Sequence, residues 1–150
     1  MDRKMARDAT LLFLAALLIR VGYALFFVEL EYLLIEDQAL YIQLAQQFPD
    51  SGLLGIPSER VPGYPLFIAS IYTLFGEEPW NVISIQILLD SISCVVIALM
   101  AKSLFSKGFW IAGILSAINL NMVILSVSLL TDTLFLFLFI LFLFSLLQYL

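Results

Sequence analysis

Four apolar runs, each close to the roughly 20 residues a helix needs to cross a hydrocarbon core about 30 Å thick, leave this chain few folds to choose from. They lie at about residues 10–28, 81–101, 109–130 and 133–150. Hydrophobic residues make up 63% of the 150, which excludes an ordinary water-soluble domain. The reading is an all-α, polytopic membrane protein with about four transmembrane helices. Arg3, Lys4 and Arg7 precede the first run as they would in a signal peptide. Arg20 interrupts that run, however, and no small-residue cleavage site follows it, so an uncleaved span is expected.

Basic residues orient the spans. Arg3, Lys4 and Arg7 before the first, and Lys102 and Lys107 between the second and third, fall on one face after an even number of crossings. The positive-inside rule makes that face cytoplasmic. The long first loop, about residues 29–80, is then external or periplasmic, and so is the short junction before Asp132. The expectation is a multi-pass protein of the cell membrane with a cytoplasmic N-terminus.

That loop is a polar island holding all five prolines, eight of the twelve acidic residues and one base, Arg60. Its length favours a site over a mere connector. The net charge of -5 comes largely from this segment, and no nucleic-acid partner is expected. Histidine is absent and Cys94 is alone, so acid-base chemistry falls to carboxylates.

Two interfacial helices are expected within the island. One runs from Ile35 to Phe48, ended by Pro49, and carries Asp37, Tyr41, Leu44, Ala45 and Phe48 on one face. The other runs from Pro65 to Phe75, ends at Gly76, and offers Leu66, Phe67, Ile71 and Leu74 to the headgroup boundary. Pro62-Gly63 between them reads as a type II turn.

Asp37 can be a general base beside the membrane, or a solvated acid in a helix first turn. Asp132, opening the fourth span after Thr131, can be helix-terminus chemistry or a second acid reaching the island. Arg60 suits a bidentate grip on phosphate, or a salt bridge to Glu59. Arg20 and Asp90, each about eight residues below the outer end of its span, are expected to form a structural ion pair. Asn119 and Asn121 in the third span are assigned to interhelical hydrogen bonds. No zinc spacing, phosphate-binding glycine loop or Ser/His/Asp set occurs, so the sequence requires no cofactor. A divalent metal is possible with help from water or substrate phosphate.

The order of motifs resembles the N-terminal part of GT-C class membrane glycosyltransferases, especially the family 39 group of protein O-mannosyltransferases and aminoarabinose transferases. The residues that carry the resemblance are Asp37, Tyr41 and Ala45; Arg60, Pro62, Gly63, Tyr64 and Pro65; and Thr131, Asp132, Leu134 and Phe135. It implies transfer of a sugar from a polyprenyl-phosphate donor to an acceptor at the outer face, with inversion. Asp37 is then the base or the residue that orients the acceptor, and Asp132 a second catalytic acid. Arg60, Tyr64 and Tyr41 fall near the donor phosphate or sugar. The implied partners are the lipid-linked donor, the bilayer, and a missing C-terminal segment or partner subunit. Family enzymes have many more spans, so the 150 residues read as an incomplete N-terminal module. Where many members carry a proline in the third span, this chain has Ile118-Asn119-Leu120-Asn121, which leaves the local helix geometry open. Two other readings stand beside this one: a non-catalytic assembly or scaffold subunit, and a fragment of a transporter lined by Arg20, Asp90 and Asn119.

Overall fold

The computed structural model describes residues 3–29, 37–51 and 61–149. These residues form seven helices and no strand: α1 (Arg3–Phe27), α2 (Asp37–Ser51), α3 (Gly63–Phe75), α4 (Pro79–Leu104), α5 (Gly108–Ala117), α6 (Leu120–Val127) and α7 (Asp132–Tyr149). Helices α1, α4 and α7 are each long and apolar enough to cross a membrane, and α5 with α6 passes the same test as one bent span. The chain is an all-α polytopic membrane protein.

Helix α4 is the axis of the assembly. It packs against α1, α3, α5, α6 and α7, and 56% of its most apolar window is buried, against 22% for α1 and 11% for α7. The outer surfaces of α1 and α7 are left to the apolar solvent, which is why Leu18, Leu25, Phe135 and Phe142 stand exposed.

The third span departs from the single helix expected over residues 109–130. It breaks at Ile118 and Asn119, and the two halves meet at 52°. Asn119 is extended and its side-chain oxygen accepts from the Met122 backbone N–H at 3.1 Å, making it the N-cap of α6. An asparagine offers the backbone this local partner in place of the helical ladder, and the ladder stops there. Asn119 is therefore a cap and not an interhelical bridge, and Asn121 is exposed.

Two apolar cores lie along the bundle with a charged layer between them. One gathers Leu12, Ala16, Cys94, Ala98, Phe109 and Ala117. The other gathers Ala24, Tyr41, Tyr64, Ile68, Ile83, Ile87, Val127 and Leu129 with their neighbours on α2 and α3. Arg20 and Asp90 meet between them, fully buried, with Arg20 Nε donating to Asp90 Oδ2. The guanidinium also donates through Nη1 to Ala16 O at 3.0 Å and Ala117 O at 3.3 Å, and through Nη2 to Cys94 Sγ at 3.2 Å. Ala117 ends α5, so its carbonyl has lost its helical donor at the break. The bend in the third span and the buried arginine satisfy each other. Arg20 and Asp90 sit in a packed layer, whereas Asn119 is exposed.

The external elements also differ in detail from the sequence expectation. Helix α2 runs past Pro49 to Ser51 and does not stop at the proline. Pro62 is helical at φ -71°, ψ -12°, and its carbonyl accepts from Leu66 N at 3.0 Å. The chain thus enters α3 directly at Gly63, and no type II turn forms. Ile71, expected at the headgroup boundary, is buried in the core between α3 and its neighbours, whereas Leu66 and Leu74 are exposed. Gly76 does end α3, at φ 95°, ψ 159°, a backbone region essentially reserved for glycine. Asn81 Nδ2 then donates to Phe75 O and Gly76 O, closing the α3–α4 corner.

The α4–α5 turn depends on a second glycine. A Cβ on Gly108 would lie 2.4 Å from the Ala101 carbonyl oxygen and 2.7 Å from its carbon, both backbone atoms that cannot rotate away. Gly108→Ala is expected to destabilise the protein by roughly 1–3 kcal/mol, the usual cost of overpacking. Thermal unfolding in detergent should show the loss, and an unchanged midpoint would mean that α4 and α5 do not cross this closely.

Candidate functional site

Three elements meet at the end of the bundle opposite Lys4 and Lys102: the first turn of α2, the start of α3 and the α6–α7 junction. A run of hydrogen bonds holds them. The Tyr64 hydroxyl donates to Gln86 Oε1 at 2.7 Å, and Gln86 Nε2 donates to Ser128 O at 2.7 Å. The Leu129 backbone N–H donates to Gln38 Oε1 at 2.9 Å. Gln86 is completely buried in α4, so both ends of its amide need these partners. The result ties α3, α4, the α6–α7 junction and α2 into one unit.

Tyr41 and Tyr64 fix α2 on α3. Their rings meet edge to face with centroids 5.1 Å apart, and both side chains are buried. Burial, with Tyr41, Tyr72 and Asp132 close by, pushes the Tyr64 hydroxyl far above the usual phenol range. Tyr64 is therefore a neutral donor at any physiological pH. Its proton is committed inward to Gln86.

The two acids are exposed where the core residues are not. Asp37 is the first residue of α2 and Asp132 the first of α7. Gln38, next to Asp37, bonds the backbone of Leu129, three residues before Asp132. Asp132 is also near enough to Tyr64 to disfavour its ionisation.

An apolar cavity of about 310 Å³ opens between α3 and α7, lined by Gly63, Tyr64, Thr131, Leu134, Phe135 and Leu138, with Asp132 following Thr131 in the chain. A second, more polar one of about 220 Å³ lies across Gln38, against Tyr23, Phe27, Glu29 and Ser128. An apolar slot of this size can hold a segment of an apolar chain.

Residues 59–150 match the sequence profile of a family described as dolichyl-phosphate-mannose-protein mannosyltransferase. The chain belongs to that family. No curated protein and no solved structure matches it individually. In this mannosyltransferase-family chain the matched stretch contains Tyr64, Gln86, Asp132 and the whole α3–α7 cavity. Gln38 and Tyr41 precede it and join the cluster through the contacts above, and Asp37 is the residue before Gln38. Arg60 lies outside the described residues, so the position expected to grip phosphate has no geometry here.

Sequence reasoning missed Gln86, Gln38 and Ser128, whose hydrogen bonds tie α2, α3, α4 and the α6–α7 junction together. The signal for Gln86 was a full amide inside an apolar span, the same kind of signal that drew attention to Asn119.

Proposed function

We propose that the chain acts in the transfer of a sugar, mannose by family description, from a polyprenyl-phosphate donor to an acceptor hydroxyl at the outer face of the membrane. The observation that carries this reading is the family match over the residues that build the α3–α7 cavity. An isoprenoid chain lies in that slot among Leu134, Phe135 and Leu138, which brings the sugar phosphate to the level of Asp132. The acceptor oxygen attacks the anomeric carbon from the face opposite the phosphate, the carbon–phosphate-oxygen bond breaks with inversion, and polyprenyl phosphate leaves. Asp37 takes the acceptor proton. Asp132 is the second acid, orienting the sugar or the acceptor. Arg60 neutralises the departing phosphate, whose charge is the larger electrostatic demand of the step. Tyr41 and Tyr64 act through position, since one supports the other and Tyr64 forms part of the donor slot.

The slot can be tested by photo-crosslinking. A polyprenyl-phosphate mannose analogue with a photoreactive group in its first isoprene units should label peptides from residues 61–67 and 131–138, and unlabelled donor should compete. Labelling confined to other segments would remove the cavity from the mechanism.

Outer-face action needs the island outside. Glu77→Cys, in the exposed α3–α4 corner, should react with an impermeant maleimide on intact cells, and Lys107→Cys should react only after permeabilisation. Cys94 is buried and gives little background. The opposite labelling pattern would invert the orientation and contradict transfer at the outer face.

A further inference from the structure

At the other end of the bundle, away from both acids, lies a cavity of about 320 Å³ that the transfer reaction does not use. Lys4 and Asp8 on α1 and Lys102 on α4 line it with Ser106, Phe109 and Trp110 from the α4–α5 corner. The charges are not balanced locally. Asp8 Oδ1 is held by Arg7 Nη2 at 3.4 Å, and among the described residues no carboxylate lies within ion-pair distance of Lys4 or Lys102. Two ammonium groups from separate helices thus face one pocket with a single carboxylate, Asp8, which Arg7 pairs from outside the lining, so the pocket keeps a net positive charge.

The walls explain what kind of anion fits. Phe109 and Trp110 meet edge to face at 5.4 Å, with Phe109 buried and Trp110 partly exposed, and the tryptophan stands at the span end, where its ring suits the headgroup level. Ser106 adds a hydroxyl that can donate to an oxygen of the same ligand. A free inorganic anion would use the lysines and the serine but gain nothing from the aromatic wall. A phosphate ester carrying acyl chains uses both. We propose that this pocket binds the phosphate headgroup of an anionic phospholipid, with Lys4 and Lys102 on the phosphate and Phe109 and Trp110 against the upper acyl segment. Lys102 also lies in the last turn of α4, where a cation is favoured by the helix dipole. That placement alone does not account for Lys4, which reaches the same cavity from α1.

The site is independent of the donor slot and of any transfer activity. Its test uses the full chain purified in a neutral detergent, with lipid binding followed by native mass spectrometry and by thermal unfolding. Phosphatidylglycerol should bind and raise the unfolding midpoint, whereas phosphatidylcholine and inorganic phosphate at the same concentration should not. Lys4→Gln with Lys102→Gln should weaken phosphatidylglycerol binding by roughly 30-fold, at about fivefold for each basic residue near a lipid headgroup. Arg3→Gln with Lys107→Gln removes the same charge from residues outside the pocket and should leave binding within about twofold. Equal weakening by both pairs would overturn the pocket, because the attraction would then be a general one. An equal shift with inorganic phosphate would overturn the lipid, and no preference for phosphatidylglycerol over phosphatidylcholine would overturn the site itself.

Discussion

Arg20→Leu is expected to destabilise the protein by about 3–5 kcal/mol, the largest effect we foresee for any single substitution on the fold. The change does not merely remove one bond from the layer between the two cores. It leaves the Asp90 carboxylate, 2% exposed, with no cation, and it strips donors from the Ala117 carbonyl at the end of α5 and from the Cys94 sulfur. Asp90→Leu should cost a similar amount by stranding the guanidinium. The two losses are not independent. Arg20→Leu with Asp90→Leu exchanges the pair for apolar side chains in an apolar layer, and buried ion pairs replaced whole are often neutral or better. Unfolding midpoints of the two single variants and the double variant in detergent check this. The double variant should recover most of the loss, short only of what the Ala117 carbonyl forfeits. Strict additivity would mean that the pair is not coupled.

Asp37→Asn is expected to slow sugar transfer by about 10²–10⁴-fold, the range for losing a positioned general base. Asparagine keeps the shape and the capacity to accept a hydrogen bond, but it cannot take the acceptor proton at neutral pH. With the donor in the α3–α7 slot, as proposed, its binding should change little, and the loss should lie in the catalytic rate. Asp37→Asn should cost about 1 kcal/mol of stability or less, the usual value of a charge at an exposed helix start, far too little to account for the loss of rate. A variant with unchanged turnover would move the base elsewhere, with Asp132 the next acid to test.

Much of the fold could be read from the apolar runs, because a bilayer leaves so few ways to satisfy the backbone. Counting residues inward from the span ends also put Arg20 and Asp90 at one depth, where they meet. Local polar chemistry was harder. An asparagine within a span can bridge helices or cap one, and only the relation of Ala117 to Arg20 shows why Asn119 does the latter. Pro62-Gly63 fits a type II turn by residue preference, yet the helix that follows holds Pro62 in the helical region. Gln38 and Gln86 carried little signal because a glutamine on an interfacial helix and another in a span are each ordinary. Their value lies in the partners, Leu129 and Ser128, which are 91 and 42 residues away. Tyr64 stood out for a motif that suggested a ligand contact. Its hydroxyl turns inward to Gln86, so what it can offer a donor is a wall.

Whether the sugar moves decides the function of this chain. The chain should be reconstituted in liposomes with polyprenyl-phosphate mannose labelled in the sugar, together with acceptor-bearing membrane extract on the side of the α3–α4 corner. Label should leave the lipid phosphate for the acceptor fraction, and Asp37→Asn should slow that transfer by about 10²–10⁴-fold. Label that stays on polyprenyl phosphate with the unaltered chain, or that moves equally well with Asp37→Asn, would contradict the proposed function.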